Sequence, residues 1–134
     1  MIANLKTFNH GVAWEDSYGY SQGVRAGDTV YVSGQLAHDA EGNLIGEGDC
    51  AAQATPTFDN LDKVLAGLGV TRNQVVETTV MIVGLRENFG AVAAAHRSYF
   101  GDHRPASNAL GVVELALPGQ LLEVAAIVRL DLPE

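Results

Sequence analysis

Residues 121–130, LLEVAAIVRL, are apolar on both sides of an extended chain. Leu122, Val124, Ala126, Val128 and Leu130 fall on one side, and Leu121, Ala125 and Ile127 on the other, interrupted by Glu123 and Arg129. Side chains alternate across a strand, so such a segment asks for cover above and below. Residues 74–83, QVVETTVMIV, make the same demand, with Val76, Val80 and Ile82 opposed to Val75, Met81 and Val83. The chain must therefore fold around a sheet that is covered on both faces.

The remaining segments limit what can provide that cover. Residues 18–24 (YGYSQGV) read as a short aromatic strand, 25–28 (RAGD) as a turn and 29–35 (TVYVSGQ) as its hairpin partner. Residues 38–48 hold Gly-bounded polar clusters and read as a loop. Phe58, Leu61, Leu65 and Leu68 form one stripe of a helix over about residues 49–68, which Gly67 and Gly69 end. Pro56 either follows a Thr55 cap at the first position of that helix or bends a longer one. A second helix over about residues 87–100 carries Phe89, Val92, Ala93, His96, Tyr99 and Phe100 on its apolar face. Residues 107–115 and 121–130 are extended, with a turn at Pro118-Gly119.

The order β-β-α-β-α-β-β predicts an α+β domain over residues 1–134, with a mixed sheet and two helices on one face. Two helices of this length blanket about one face of such a sheet. The other face would leave more bare apolar surface than a soluble monomer tolerates, which predicts self-association with ligand clefts at the seam.

Composition narrows the function. Hydrophobic residues make up 47% of the 134, ample for one core and poor for a disordered chain. A formal charge of −8 repels phosphate backbones, so neither nucleic acid nor an anionic membrane is expected as a partner. No apolar run approaches the ~20 residues of a membrane span. Residues 1–6 lack the basic start and long apolar core of a secretory leader, and Cys50 has no intrachain cysteine to pair with. Both features point to the reducing cytoplasm. His10, His38, His96 and His103 show no metal-ligand spacing, and the glycines form no phosphate-binding signature. His96 reads as a packed histidine. Cys50 reads as a small core residue, although a helix start could favour its thiolate.

Several short segments in register resemble the Rid (YjgF-like) family: Tyr20–Val24, Val32–Leu36, Asn60-Leu61, Val76–Val80, Pro105-Ala106, Leu117-Pro118 and Leu122–Ile127. The resemblance runs from about residue 18 to 130. It implies a chorismate-mutase-like fold, a homotrimer with small-molecule pockets between subunits, and hydrolysis of reactive enamines or imines to a carbonyl compound and ammonia. It implies no metal and no organic cofactor.

The same resemblance marks two departures. In family members active as deaminases an Arg follows the Pro-Ala dipeptide and grips the substrate carboxylate through a planar fork. Here Ser107-Asn108 follows Pro105-Ala106. The family's Glu-x-Glu, whose acid helps position water, reads Glu123-Val124-Ala125. Loss of a charged hydrogen bond costs ~1.5–3 kcal/mol, so ordinary 2-aminoacrylate is a poor substrate expectation.

Candidate substrate-binding residues are Tyr20, Ser33, Gly34, Arg104, Ser107 and Asn108; candidate catalytic residues are Glu123, Ser107 and Asn108. Each has a plainer structural alternative. Tyr20 could simply pack, Gly34 could mark a bulge, Arg104 could be a solvated loop residue, and Ser107 and Asn108 could make ordinary strand hydrogen bonds. Glu123 could orient water or pair with a basic residue across an interface. The two functional expectations are an imine or enamine deaminase with a non-standard substrate, and a non-catalytic small-molecule-binding or partner-binding trimer. The ribonuclease activity attached to the family fits poorly with the acidic charge.

Overall fold

The strand at residues 122–129 lies inside the sheet, hydrogen-bonded on both edges, as its two-sided apolar character demands. The computed structural model describes residues 5–134; residues 1–4, part of the segment read for a leader, lie outside them. In chain order the elements are β1 (Leu5–Phe8), α1 (Ala13–Tyr18), β2 (Gly23–Ala26), β3 (Thr29–Gln35), α2 (Cys50–Gly67), β4 (Val75–Val83), α3 (Leu85–Phe100), β5 (Ala106–Val112) and β6 (Leu122–Arg129). The six strands run β1-β2-β3-β6-β4-β5. All pairs are antiparallel except β4–β5, whose parallel pairing needs a crossover, and α3 provides it.

The helices α2 and α3 cover one face, as expected. Leu122, Val124, Ala126 and Val128 of β6 are buried beneath them with Val30 and Val32 of β3, Leu61, Val64 and Leu65 of α2, and Leu68 at its C-cap. On the other face Glu123, Ala125 and Ile127 stay half-buried, while Tyr31 is 52% and Leu110 49% exposed. One side of the sheet is thus a packed core and the other an open, largely apolar surface.

Several expectations need correction. The aromatic segment 18–24 is not a strand: Tyr18 ends α1, and pairing begins only at Gly23. Gly19, at φ 84°, closes α1 in the left-handed region, a stop that aromatic content does not announce. The hairpin loop is Gly27-Asp28 rather than the whole of 25–28. In β4 a register shift between Val75 and Glu77 changes the phase, so Val75 joins Thr78, Val80 and Ile82 on the helix face. β5 stops at Val112 and α3 begins at Leu85. β1 and α1 had no counterpart in the sequence reading, because four residues of strand carry too little pattern.

Of the two readings of Pro56, the longer helix holds. Asp49 caps α2 by accepting the Ala52 N–H at 3.1 Å, and Pro56 sits within the helix. One turn is locally reinforced there: the Thr57 hydroxyl donates to the Gln53 carbonyl at 2.8 Å. Cys50 is buried, and burial pushes its thiol above the usual range, so the core reading holds and an activated thiolate does not.

The connection into β6 depends on one buried side chain. Gln53 Nε2 donates to the carbonyls of Gly46 and Gly119, and its Oε1 accepts the Leu121 N–H at 2.9 Å. An apolar side chain of similar size would leave the Leu121 N–H unpaired, at ~1–3 kcal/mol, while the Gly46 and Gly119 carbonyls keep the Asp49 and Gly48 N–H groups as donors. Gln53→Leu is therefore expected to lose about 1–3 kcal/mol in urea unfolding, and an unchanged midpoint would remove Gln53 from this role.

Candidate functional site

The chain's candidate residues separate onto the two sides of the sheet. On the open face, β6 projects Glu123 over the bulge of β3, where the register shifts between Val32 and Gln35. A Cβ at Gly34 would collide with the Glu123 carboxylate, so only glycine leaves the acid this seat. Gln120 Nε2 donates to Glu123 Oε1 at 3.2 Å. Burial pushes the Glu123 carboxyl above its usual range, and the Gln120 hydrogen bond only partly opposes this. Tyr20 belongs to the same neighbourhood: burial raises its phenol first, and the charges of Glu15 and Glu123 raise it further.

Behind Tyr20 runs a chain of buried amides. His10 Nε2 donates to Gln35 Oε1 at 2.8 Å, Gln35 Nε2 to Gln22 Oε1 at 2.8 Å, and Gln22 Nε2 to the Tyr20 hydroxyl at 3.0 Å. The Ser33 hydroxyl donates to the Ser21 carbonyl at 2.8 Å, which leaves its acceptor lone pairs for a ligand.

Ser107 lies on the helix side. Its Oγ is hydrogen-bonded to Thr78 Oγ1 at 2.8 Å, and Thr78 Oγ1 lies 2.9 Å from His96 Nε2 on α3. Thr78 is fully buried on the helix face of β4, so Asn108, the next residue after Ser107, points to the open face beside Thr79. Ser107 borders a cavity of about 340 Å³ between α3 and the β5 edge, with Phe89, Val92, Ala93, His96 and Ala109 among its walls. Arg104 is exposed and also lines it. Among the described residues no group of three His, Cys, Asp or Glu side chains could hold a metal ion.

Gly34 and Glu123 therefore come together with Tyr20 within reach of the Glu123 charge, Ser107 and Arg104 line one cavity, and Asn108 parts from Ser107. Sequence reasoning missed Thr78, Gln22, Gln35, Gln120 and the part played by His10. These polar residues are buried or nearly so, which is the physical signal of a hydrogen-bonded network, but burial is invisible in a linear sequence. His96 is a packed histidine as expected, with its ring against Phe58 and Phe100.

A six-stranded sheet with helices on one face has close counterparts among known proteins. The family model described as "Endoribonuclease L-PSP" matches residues 12–130. The 2-iminobutanoate/2-iminopropanoate deaminase of Rattus norvegicus is 36% identical over 109 residues, 81% of this chain and 77% of that protein. The Salmonella typhimurium protein of the same name is 33% identical over 110 residues, 81% of this chain and 84% of that one. Among solved structures, a Mycobacterium tuberculosis member of the YjgF/YER057c/UK114 family superposes with a TM-score of 0.84 at 27% identity, covering 94% of this chain and 99% of that one. RidA from an Antarctic Psychrobacter gives 0.76 at 32% identity, covering 82% and 87%. The chain belongs to this YjgF/Rid family and shares its α+β fold. Among the described residues no helix is long and apolar enough to cross a membrane.

The elevated Glu123 carboxyl makes a signed prediction. An acid whose folded value is raised binds more protons in the native than in the unfolded chain between the two values, so stability falls as pH rises through that window. Glu123→Gln should remove this component. The stability gap between variant and wild type is expected to grow in the variant's favour from about pH 4.5, the ordinary Glu value, towards neutrality, as read by urea melts. A gap that stays constant with pH would mean the carboxyl titrates normally.

Proposed function

We propose that the protein hydrolyses a reactive imine or enamine to a carbonyl compound and ammonia, in a cleft completed by a second copy of the chain. The support is geometric: Glu123 lies on the open face, while Ser107 lies on the helix side, so one protomer cannot aim both groups at one ligand. The open face still carries exposed Tyr31 and Leu110 and half-buried Ile127 and Ala125. Packing that surface against other copies removes apolar area from water and brings unlike edges together. Following the family resemblance, the assembly is a homotrimer with three such clefts, and the lone Cys50 fits the reducing cytoplasm.

The chemistry needs water added at the imine carbon while nitrogen stays protonated. Glu123, which burial holds above the usual carboxylate range, suits a group that orients water. Ser107 stands where the resemblance places the carboxylate-gripping Arg, and the cavity beside it has apolar walls in Phe89, Val92, Ala93, Phe100 and Ala109, with Arg97 and His103 also on its lining. The favoured substrate is therefore an imine whose body is apolar and that needs no carboxylate. Arg104 at the cavity edge is the group that would hold an anion instead. A charge of −8 argues for a small molecule rather than RNA as the ligand.

Ammonia release from freshly generated imines tests this reading, using benzyl imine as the neutral substrate and 2-iminopropanoate as the carboxylate. We expect hydrolysis above the spontaneous rate, with benzyl imine preferred, and a mass of three chains by light scattering. No acceleration with any imine would leave the non-catalytic binding trimer. A stable single chain at micromolar concentration would overturn the shared cleft.

A further inference from the structure

Of all the buried polar groups, Thr78 stands out, because it links two side chains of one cavity wall, the titratable His96 and the hydroxyl of Ser107. It is fully buried on β4, with His96 Nε2 at 2.9 Å on one side and Ser107 Oγ at 2.8 Å on the other. Ser107 is exposed and borders the 340 Å³ cavity. The three residues come from α3, β4 and β5, and only the parallel register Thr78↔Ser107 brings the hydroxyls together. In the structure Thr78 Oγ1 donates to Ser107 Oγ, the direction that carries a proton outward; both hydroxyls rotate to carry one inward to an unprotonated His96 Nε2. A core threonine needs only one partner to be satisfied. A line that ends on an exposed serine at a cavity does more than satisfy burial.

We propose that His96, acting through Thr78 and Ser107, is the proton acceptor and donor for a neutral, apolar imine bound beside Ser107. This rests on the deaminase reading above and assigns its proton path. Water oxygen bonds to the carbon of the protonated imine, and the C=N electron pair moves to nitrogen. The water proton passes to Ser107 Oγ, the serine proton to Thr78 Oγ1, and the threonine proton to His96 Nε2. The resulting carbinolamine has a neutral amine. The relay then runs backwards and protonates that amine, the C–N bond breaks with its pair leaving on ammonia, and the remaining hydroxyl proton goes to the departing ammonia. The net change is protonated imine plus water to carbonyl plus ammonium.

His96 is suited to the task because burial lowers its affinity for protons, keeping the ring neutral and able to accept at pH 7. From α2 it meets Phe58 and from α3 Phe100, neither of them charged. The titratable or charged groups around the cavity are Arg97, His103 and Arg104; Arg97 donates to the Gly101 carbonyl and His103 Nε2 to the Val75 carbonyl at 2.6 Å. Tyr99 on α3 is turned away to donate to Asp62 at 2.7 Å.

Benzyl imine hydrolysis by Thr78→Val, Thr78→Ser and His96→Gln in the assembled protein tests the relay, with thermal melts checking that each variant is folded. Thr78→Val should lose ~100-fold or more in kcat, and Thr78→Ser should keep the wild-type rate. Wild-type kcat should fall on the acid side as His96 takes up its proton, below the ordinary histidine value of 6.5, a limb that His96→Gln should lack. Wild-type rates in folded Thr78→Val or His96→Gln, or an unchanged acid limb in His96→Gln, would overturn the relay and leave the deaminase reading intact. Inert wild-type protein on every imine would overturn both.

Discussion

The structure depends on β6 being buried on one side and half-covered on the other while hydrogen-bonded along both edges. Its even-numbered residues anchor the core under α2, and its odd-numbered residues carry Glu123 onto the open face. Because the same sheet separates the two surfaces, Glu123, Thr78, Ser107 and Asn108 are assigned to one side or the other by their places in β6, β4 and β5. Ser107 and Asn108 show this most directly: adjacent in sequence, they face opposite sides of the sheet.

Glycine and polar side chains set the finer geometry. Gly34 makes room for the Glu123 carboxylate, and Gln120 satisfies one of its oxygens. The His10–Gln35–Gln22 chain holds Tyr20, and the His96–Thr78 pair holds Ser107. Both networks lie largely inside, where an unpaired polar atom is costly, and no buried side-chain nitrogen or oxygen among the described residues lacks a partner. Such satisfied networks fix side-chain directions more tightly than packing alone, and defined direction is what acid–base work needs.

Much of the fold was legible because its signals are periodic and local. The stripe of Phe58, Leu61 and Leu65 located α2, and the apolar runs located β4 and β6 within a residue or two. The bare sheet face followed from counting helices against strand sides. What escaped had weak or no period: four residues in β1, six in α1, and the bulge that changes the phase of β4. Aromatic residues at 18 and 20 suggested a strand, yet Tyr18 ends a helix and Tyr20 sits in the turn behind it.

The amino-acid order by itself determined the two-sided strands, the helical stripes, the acidic charge and the substitution pattern at Ser107 and Ala125, since these are properties of residue identity and spacing. Only the tertiary structure decided that Glu123 and Ser107 face away from each other, that Gly34 lies under the carboxylate, and that Thr78 bridges His96 to Ser107. Those facts arise from strand register and crossover, which join residues 18 to 89 positions apart, and no local preference encodes such distant pairings.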